Sequence, residues 1–585
     1  MANFKKLLMV VPPNITFDNF VNPSKNTKSW IHENGKELGV IVTDVPLGAM
    51  TICTWLQSQF DIETRLLDFN VEIHKNWDHL HAQSFEPWFE ETIAGLDFEP
   101  DLIGFSSLFV TGYTNLITLG NVCKKYFPLA TRIVGGNLAT TMYTELFEDG
   151  AGEVFDAFCF GEGELPLLEL FEAKNVYEYL EKSPSWITAS KSSGGYLFAH
   201  NFINELDDIP ALDYDLLDLS DYQLSPTIKA YTQINDKTNY ITYMSSRGCP
   251  FLCTFCSAHT VHGRKMRYFS VERIEKELTA LQKTYSANTL VLEDDHFLSD
   301  NKRAKTIIGI AKKLGMKCVF PNALALFGLK KDMLECLQGA GVKQLTLAVE
   351  SGSQRVLKEL MKKPLKTEIT ERVANDCYEM GIYTDCNIII GMPGENLDDI
   401  NEAREFLKEL PANWYRINVA TPLAGSEMYE TALDRGELVG NIKEAGYKAC
   451  VIETDHFTPH QINELAYSLN LELNFVYNTD MQKGNYIRAA ESFENVLNLK
   501  HDHAFALLYL SICYQEIGET DRAIEMREKA ILLFKTDEIW NFYYNKFNVS
   551  ILGEDVEFFS RHLTNEKGIL FSTKSSGIGR QSVSA

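Results

Sequence analysis

The sequence predicts an α/β protein of two successive sheet-containing units, followed by an α-helical region. Three observations predict it. Apolar strand-like runs alternate with stretches of helical apolar spacing through residues 1–200, and again from about Asn239 to Leu423; such alternation builds parallel sheets covered by helices. In the second unit the strand-like runs end repeatedly in polar residues and glycines, as where βα loops build a site on one face of a barrel. Beyond residue 430 the pattern is helical, and Gly484-Asn-Tyr-Ile-Arg-Ala489-Ala490 recurs as Gly518-Glu-Thr-Asp-Arg-Ala523-Ile524, 34 residues later.

In the first unit, strands are expected at Leu7–Val11, Thr64–Phe69, Asp101–Leu108, Arg132–Val134 and Phe155–Phe160, with helices at Gly48–Phe60 and Tyr113–Tyr126. This is a doubly wound, Rossmann-like arrangement, and ligands in such folds bind beyond the carboxyl ends of the strands. Those ends carry Pro46-Leu47-Gly48, Ser106-Ser107-Leu108, Gly135-Gly136 and Gly161-Glu162. Paired glycines let backbone approach a bulky ligand closely, although an isolated Gly-Gly is more often an ordinary turn. The acidic stretch Glu205–Tyr222 reads as a solvated linker spanning 201–235.

The second unit opens on a strand at Tyr240 and then Arg247-Gly248-Cys249-Pro-Phe-Leu-Cys253-Thr-Phe-Cys256. Thiolates are the ligands of iron–sulfur clusters. Three of them on a four-iron cluster leave one iron open, and an open position is where a metal site does chemistry. The rival is a Cys3His zinc site completed by His259 or His262, but structural zinc modules usually pair two short ligand knuckles and only one is visible. A helix follows at Val271–Tyr285, with Ser270 as N-cap. Strand Thr289–Leu292 then ends in Glu293-Asp294-Asp295-His296. Strand Lys317–Phe320 ends in Pro321-Asn322, and strand Gln344–Val349 in Glu350-Ser351. Strand Thr384–Ile390 ends in Gly391-Met-Pro393-Gly394, and strand Tyr415–Ala420 in Thr421-Pro422.

The bulk numbers bound the function. A chain of 585 residues holds about three or four domains. A net charge of −25 argues against nucleic acid as a partner. No segment is apolar for long enough to span a bilayer, and the apolar run before Pro12-Pro13 is too short for a signal peptide. Twelve cysteines in a chain this long are not a disulfide framework. A reducing cytoplasm is the expected location.

Gly-Cys-x3-Cys-x2-Cys resembles the signature of the radical S-adenosylmethionine (SAM) superfamily. The resemblance implies that Cys249, Cys253 and Cys256 hold a 4Fe-4S cluster in a partial (β/α) barrel over 236–430. It places SAM against Phe255, Glu293, Asp294, Asp295, Asn322, Glu350, Ser351, Gly391, Pro393 and Gly394. The first 200 residues resemble the cobalamin-binding domain of the cobalamin-dependent class, which implies cobalamin at Pro46, Leu47, Gly48, Ser106, Ser107, Leu108, Gly135, Gly136, Gly161 and Glu162. Many such domains carry Asp-x-His-x-x-Gly with a cobalt-ligating histidine. Here the stretch is Asp44-Val-Pro-Leu-Gly48, and His32 nearby reads as solvated. Residues 431–565 resemble tetratricopeptide repeats, either a helical cap or a docking surface for a protein partner, with a flexible tail at 566–585.

The resemblance thus implies an enzyme that methylates an unactivated carbon of a small-molecule substrate, through a 5′-deoxyadenosyl radical and methylcobalamin. A flavodoxin or ferredoxin would supply the electron. The alternatives are an oxidative cyclase or ring-rearranging enzyme without methyl transfer, an RNA methylthiotransferase and a non-catalytic cobalamin-binding scaffold. No residue motif fixes the substrate or a catalytic side chain.

Overall fold

The computed structural model describes residues 3–23, 29–193, 195–225, 227, 238–440, 442 and 450–549. The chain divides into two compact units, Met1–Asn474 and Phe475–Ala585. The helical region expected from residue 431 is therefore split: helix Pro459–Leu471 belongs to the first unit. The expected tail at 566–585 lies outside the described residues.

Two larger sheet systems organise the first unit, beside two short antiparallel pairs, Ser29–Ile31 with Glu37–Gly39 and Ser246–Arg247 with Arg267–Tyr268. Strands β1 (Lys6–Val11), β2 (Glu63–Asp68), β3 (Leu102–Ser106), β4 (Thr131–Gly135), β5 (Ala157–Cys159) and β6 (Trp186–Ile187) lie in the order β2-β1-β3-β4-β5-β6. All neighbours are parallel except β5 and β6. The chain steps one way from β1 to β2 and the other way to β3, so the switch point lies between the carboxyl ends of β1 and β3, where open sheets of this kind bind ligands. The strands are apolar on both faces because helices cover both; Leu102, Ile103 and Phe105 are buried. Phe20, Trp77, Phe85 and Phe89 belong to an aromatic core in which Phe20 and Phe85 meet Trp77 edge-to-face, Phe20 at 5.2 Å, while Phe85 stacks on Phe89.

The second sheet system is a run of six parallel strands. β7 (Tyr240–Tyr243), β8 (Thr289–Leu292) and β9 (Lys317–Val319) pair in sequence order, as do β10 (Gln344–Glu350), β11 (Tyr383–Ile390) and β12 (Trp414–Val419). A parallel bridge between Leu324 and Leu347 joins the triplets. Amphipathic helices connect the strands. Helix Val271–Tyr285 buries Ile274 and Leu278, one turn apart, and the Ser270 hydroxyl caps it by accepting from the Arg273 amide. Asn396 and Asp399 cap helix Leu397–Glu409 reciprocally. Helix Pro459–Leu471 leads to Glu472 and Asn474, which tie it to this sheet. Asn474 exchanges hydrogen bonds with the Tyr415 backbone at 2.7 and 2.8 Å, and Glu472 forms a buried pair with Arg404.

The acidic stretch 205–222 is not solvated along its length. Its apolar and aromatic residues turn inward while its carboxylates face out: Leu206, Ile209, Tyr214 and Tyr222 are buried. The Tyr222 hydroxyl donates to Asp68 at the end of β2, and the Tyr214 hydroxyl to the Thr242 carbonyl in β7. The stretch therefore pins both sheets.

In the second unit, helices Tyr486–Leu499, Ala504–Glu516, Thr520–Thr536 and Glu538–Lys546 pack on their chain neighbours. Inside, Phe493 and His503 stack on Phe475, and Tyr509 meets Phe493 at a tilt. The two copies of the 34-residue motif match in conformation: Gly484 and Gly518 are left-handed, and Ala489 and Ala523 are fully buried.

Candidate active site

The cysteine loop leaves β7 under tight constraint. Gly248 has φ +93°, and a Cβ there would meet the Lys265 carbonyl at 2.5 Å, so only glycine fits. Its amide donates to Asp295, the Cys249 amide to the Gly263 carbonyl, and the Cys256 amide to the Cys253 carbonyl. Thr254 locks the centre of the loop: its amide donates to the Met361 carbonyl and its hydroxyl to the Leu360 carbonyl at 2.7 Å. Phe255 packs among Val356, Leu357, Met392 and Met428.

All three thiols are partly buried, and burial raises each of them, Cys253 to about 11. Lys363 opposes that rise at all three. A bound metal would have to supply the rest of the charge that keeps them as thiolates. Among the described residues no three His, Cys, Asp or Glu side chains converge on a single metal ion. That bears on a zinc tetrahedron and not on a cubane, whose cysteine sulfurs each bind a different iron. The donor set fits a 4Fe-4S cluster with one open iron.

Around the loop stand the residues expected at the strand ends. Asp294 accepts from the Ser245 amide and from the Ser245 and Ser246 hydroxyls, bonds that brace the loop's approach. Asp295 accepts from Gly248. Glu293 is pushed up to about 7 by burial, with the nearby carboxylates of Asp44 and Asp294 adding to it. Asn322 donates to the Glu293 carbonyl. Glu350 is left-handed at φ +66°, just past a register shift in β10, and its carboxylate meets Lys363 at 3.1 Å. Ser351 is buried and accepts from the Ser353 amide. Gly391 and Gly394 are both left-handed. The Glu395 carboxylate closes that loop, one oxygen accepting from the Gly391 amide at 2.5 Å and the Met392 amide at 3.0 Å. Its other oxygen is buried without a partner, and burial pushes the carboxyl up to about 7. Sequence reasoning missed Lys363, which stands close to the thiols. Its only signal was a second lysine before Pro364, indistinguishable from a surface pair.

A cavity of about 140 Å³ lies at the carboxyl ends of the first sheet. Gly48, Ser106, Gly135, Gly136, Gly161 and Glu162 line it, as expected; Pro46, Leu47, Ser107 and Leu108 do not. Ser107 is buried behind it, and its carbonyl would meet a Cβ on Gly136 at 2.4 Å. Leu108 is exposed. At Gly48 and Gly135 an added Cβ meets nothing within 4 Å, so the lining there is bare backbone. Met9, Ile52 and Leu167 supply apolar walls, and Arg247 and His262 reach in from the cysteine-loop side. Bare backbone between apolar walls fits a flat aromatic group. No histidine stands at Asp44-Val-Pro-Leu-Gly48, where Asp44 instead accepts from the Thr227 amide. His32 is half-buried, and its ring nitrogens sit 3.1 Å from Asn34 Oδ1 and the Trp77 carbonyl.

Glu162, expected to touch cobalamin, is committed to a buried ionic cluster. Arg267 grips it with two nitrogens at 2.6 and 2.8 Å, Arg247 lies at 3.1 Å and His262 Nδ1 at 2.7 Å. Arg247 also bonds Glu164 at 2.7 Å. Burial alone would raise the Glu162 carboxyl; Arg247, His262 and Arg267 together outweigh it and hold the group well below the usual carboxylate range. The cluster fastens the β5 end of the first sheet to the segment carrying the cysteines.

Residues 243–407 match the profile of the radical SAM superfamily. The chain is 26% identical over 409 residues to the cytidylyl-2-hydroxyethylphosphonate methyltransferase of Streptomyces wedmorensis, covering 65% of this chain and 76% of that protein. Two solved structures share the fold. The radical S-adenosylmethionine methyltransferase TsrM from Kitasatospora setae, solved with cobalamin and a 4Fe-4S cluster bound, aligns at a TM-score of 0.54 and 14% identity, over 90% of this chain and all of that one. The cobalamin-dependent S-adenosylmethionine radical enzyme OxsB, with aqua-cobalamin and S-adenosylmethionine bound, aligns at 0.57 and 15% identity, over 96% of this chain and 83% of that one. This chain therefore carries a radical SAM domain within a mixed α/β fold.

Proposed function

We propose that this protein is a cobalamin-dependent radical SAM methyltransferase acting on an unactivated carbon of a small molecule. One arrangement carries the reading: a three-cysteine loop at the strand ends of one sheet is fastened by the Glu162 cluster to a second sheet whose carboxyl ends hold a glycine-lined cavity. The methyltransferase from Streptomyces wedmorensis supports methyl transfer over cyclisation. In this reading residues 1–200 form a Rossmann-like cobalamin-binding domain and 236–430 the SAM barrel. The helices after residue 475 form a tetratricopeptide-like region, a reading supported by the matched conformations of its two motif copies.

When bound, the cluster and SAM supply a carbon-centred radical and the corrin supplies a methyl carrier. The chain's own residues do the rest. Cys249, Cys253 and Cys256 would hold the cluster through their thiolates. Lys363 balances negative charge beside the thiolates and neutralises Glu350. Glu293 and Asp295 present carboxylates for the amino group of SAM. Glu395 fixes the amides of Gly391 and Met392, so that the loop from Gly391 to Gly394 offers a rigid backbone edge to adenine. Gly48 and Gly135 leave room for a flat nucleotide base.

Anaerobic turnover of the reconstituted protein with SAM, a reductant, cobalamin and candidate substrates tests the reading. The expected products are 5′-deoxyadenosine together with S-adenosylhomocysteine, one homocysteine product for each methylated molecule. Substrate turnover with deoxyadenosine alone and no methyl mass gain would replace methyl transfer by cyclisation or rearrangement.

A further inference from the structure

Phe251 lies between the first two cysteines and packs on two other rings. His296 is at 5.0 Å and Phe327 at 5.5 Å, and His296 and Phe327 are 5.9 Å apart. His296 is buried, whereas Phe327 is 37% exposed. Leu252, next to Phe251, is 55% exposed. An unbroken aromatic contact thus runs from the cysteine loop to the surface at Phe327.

The surroundings of that exit are basic. A groove beside Phe327 is lined by Lys330, Lys331, Arg372, Ile369 and Asp376. Its one carboxylate, Asp376, is paired with Arg372 at 3.0 Å. Asp332, adjacent in sequence, is turned to Lys305. Across the loop, the exposed Arg264 donates to the Phe251 carbonyl, and Lys265 beside it is exposed. Lys330, Lys331 and Arg372 line one groove on a chain with 55 basic and 80 acidic residues, so the patch runs against the charge of the whole molecule. An apolar centre ringed by charge is the anatomy of a transient protein interface. A positive rim selects a negative partner and accelerates its encounter.

We infer that this face docks an acidic one-electron carrier of the flavodoxin or ferredoxin class. The inference rests on the reading that the cysteine loop holds a cluster. The carrier gives up one electron, being oxidised by one equivalent, and the cluster is reduced by one; no proton or atom changes hands. Phe327 and Ile369 form the contact centre, and Lys330, Lys331 and Arg372 set orientation and approach.

The experiment uses the full-length, cluster-reconstituted protein and a purified flavodoxin in its hydroquinone form. Stopped-flow absorbance follows loss of the cluster's charge-transfer band at low and high ionic strength, about 0.02 M and about 0.5 M. Three proteins are compared: the parent, K330E/K331E, and K174E/K182E, which carries the same change in net charge at exposed lysines elsewhere. At low salt K330E/K331E should be reduced by flavodoxin at least about tenfold more slowly, with most of the salt dependence gone. K174E/K182E should match the parent, and dithionite should reduce all three equally. An unaltered flavodoxin rate in K330E/K331E, or an equal loss in K174E/K182E, overturns the docking assignment. Failure of the parent to take up iron and sulfide would instead overturn the cluster reading beneath it.

Discussion

Replacing Glu395 with glutamine removes an ionisation that the folded protein resists. The carboxyl is fully buried, one oxygen has no partner, and burial lifts it from its ordinary 4.5 to about 7. At ~1.4 kcal/mol per pH unit that gap is worth about 3 kcal/mol. The sign follows from linkage. Below pH 4.5 the group is protonated whether the chain is folded or not, and costs nothing. Between pH 4.5 and about 7 the folded state keeps a proton that the unfolded state has lost, so stability falls as pH rises. Above about pH 7 the full penalty is present. The introduced carboxamide keeps an oxygen for the amides of Gly391 and Met392 and has no charge to bury. Urea midpoints of parent and E395Q should therefore nearly coincide at pH 4.5 and part progressively up to pH 7.5, with the variant more stable. With a slope of about 3 kcal/mol/M or steeper, the final gap is about 1 M or less. Glu293 is raised with the same sign, but it is present in both proteins and cancels in the difference. A gap that stays constant with pH, or narrows as pH rises, would refute the argument.

Two further outcomes concern the cofactors. Replacing Cys249, Cys253 and Cys256 together by Ala should abolish the visible charge-transfer absorption of anaerobically reconstituted protein and reduce its content of about four irons per chain to background, measured by iron and sulfide analysis; stoichiometric zinc without that chromophore in the parent would hand the loop to the zinc alternative. Gly135→Trp should abolish hydroxocobalamin binding while leaving the circular dichroism spectrum unchanged, because the added side chain enters open space beside the cavity, and retained binding would show that the corrin tail lies elsewhere. Gly136→Trp is no substitute for it, since its φ of +97° and the Ser107 carbonyl would penalise any side chain.

Much of the fold was legible in the sequence because burial on both faces of a parallel sheet leaves continuous apolar runs. β1, β8 and β11 fall within a residue of where those runs place them. β6 went unseen: two residues long and antiparallel at the edge, it has no periodicity to detect. Residues 205–222 misled because charge density along the chain conceals side chains that turn inward, here Tyr214 and Tyr222. The site was legible where chemistry demands a fixed spacing, as in the cysteine loop, and where a close approach demands glycine. It was not legible where a role arises from contacts across the fold. Glu162 lines the cavity as its loop position suggests, and only its meeting with Arg247 and Arg267, more than 80 residues along the chain, shows it also as a clasp. Lys363 and the rings of Phe251, His296 and Phe327 escaped for the same reason.

The clasp around Glu162 bears on how such proteins can be recombined. Arg247 and Arg267 are buried, and an unpaired buried guanidinium is strongly destabilising, by about 3–5 kcal/mol when its partner is removed. A chimera joined between residues 164 and 247 would bring a foreign acidic loop to these arginines, or foreign arginines to Glu162 and Glu164. Domain exchange at that seam should succeed only between parents that share the matched set, and the heritable block extends from the β5 loop to Arg267, across the boundary that the two sheets suggest.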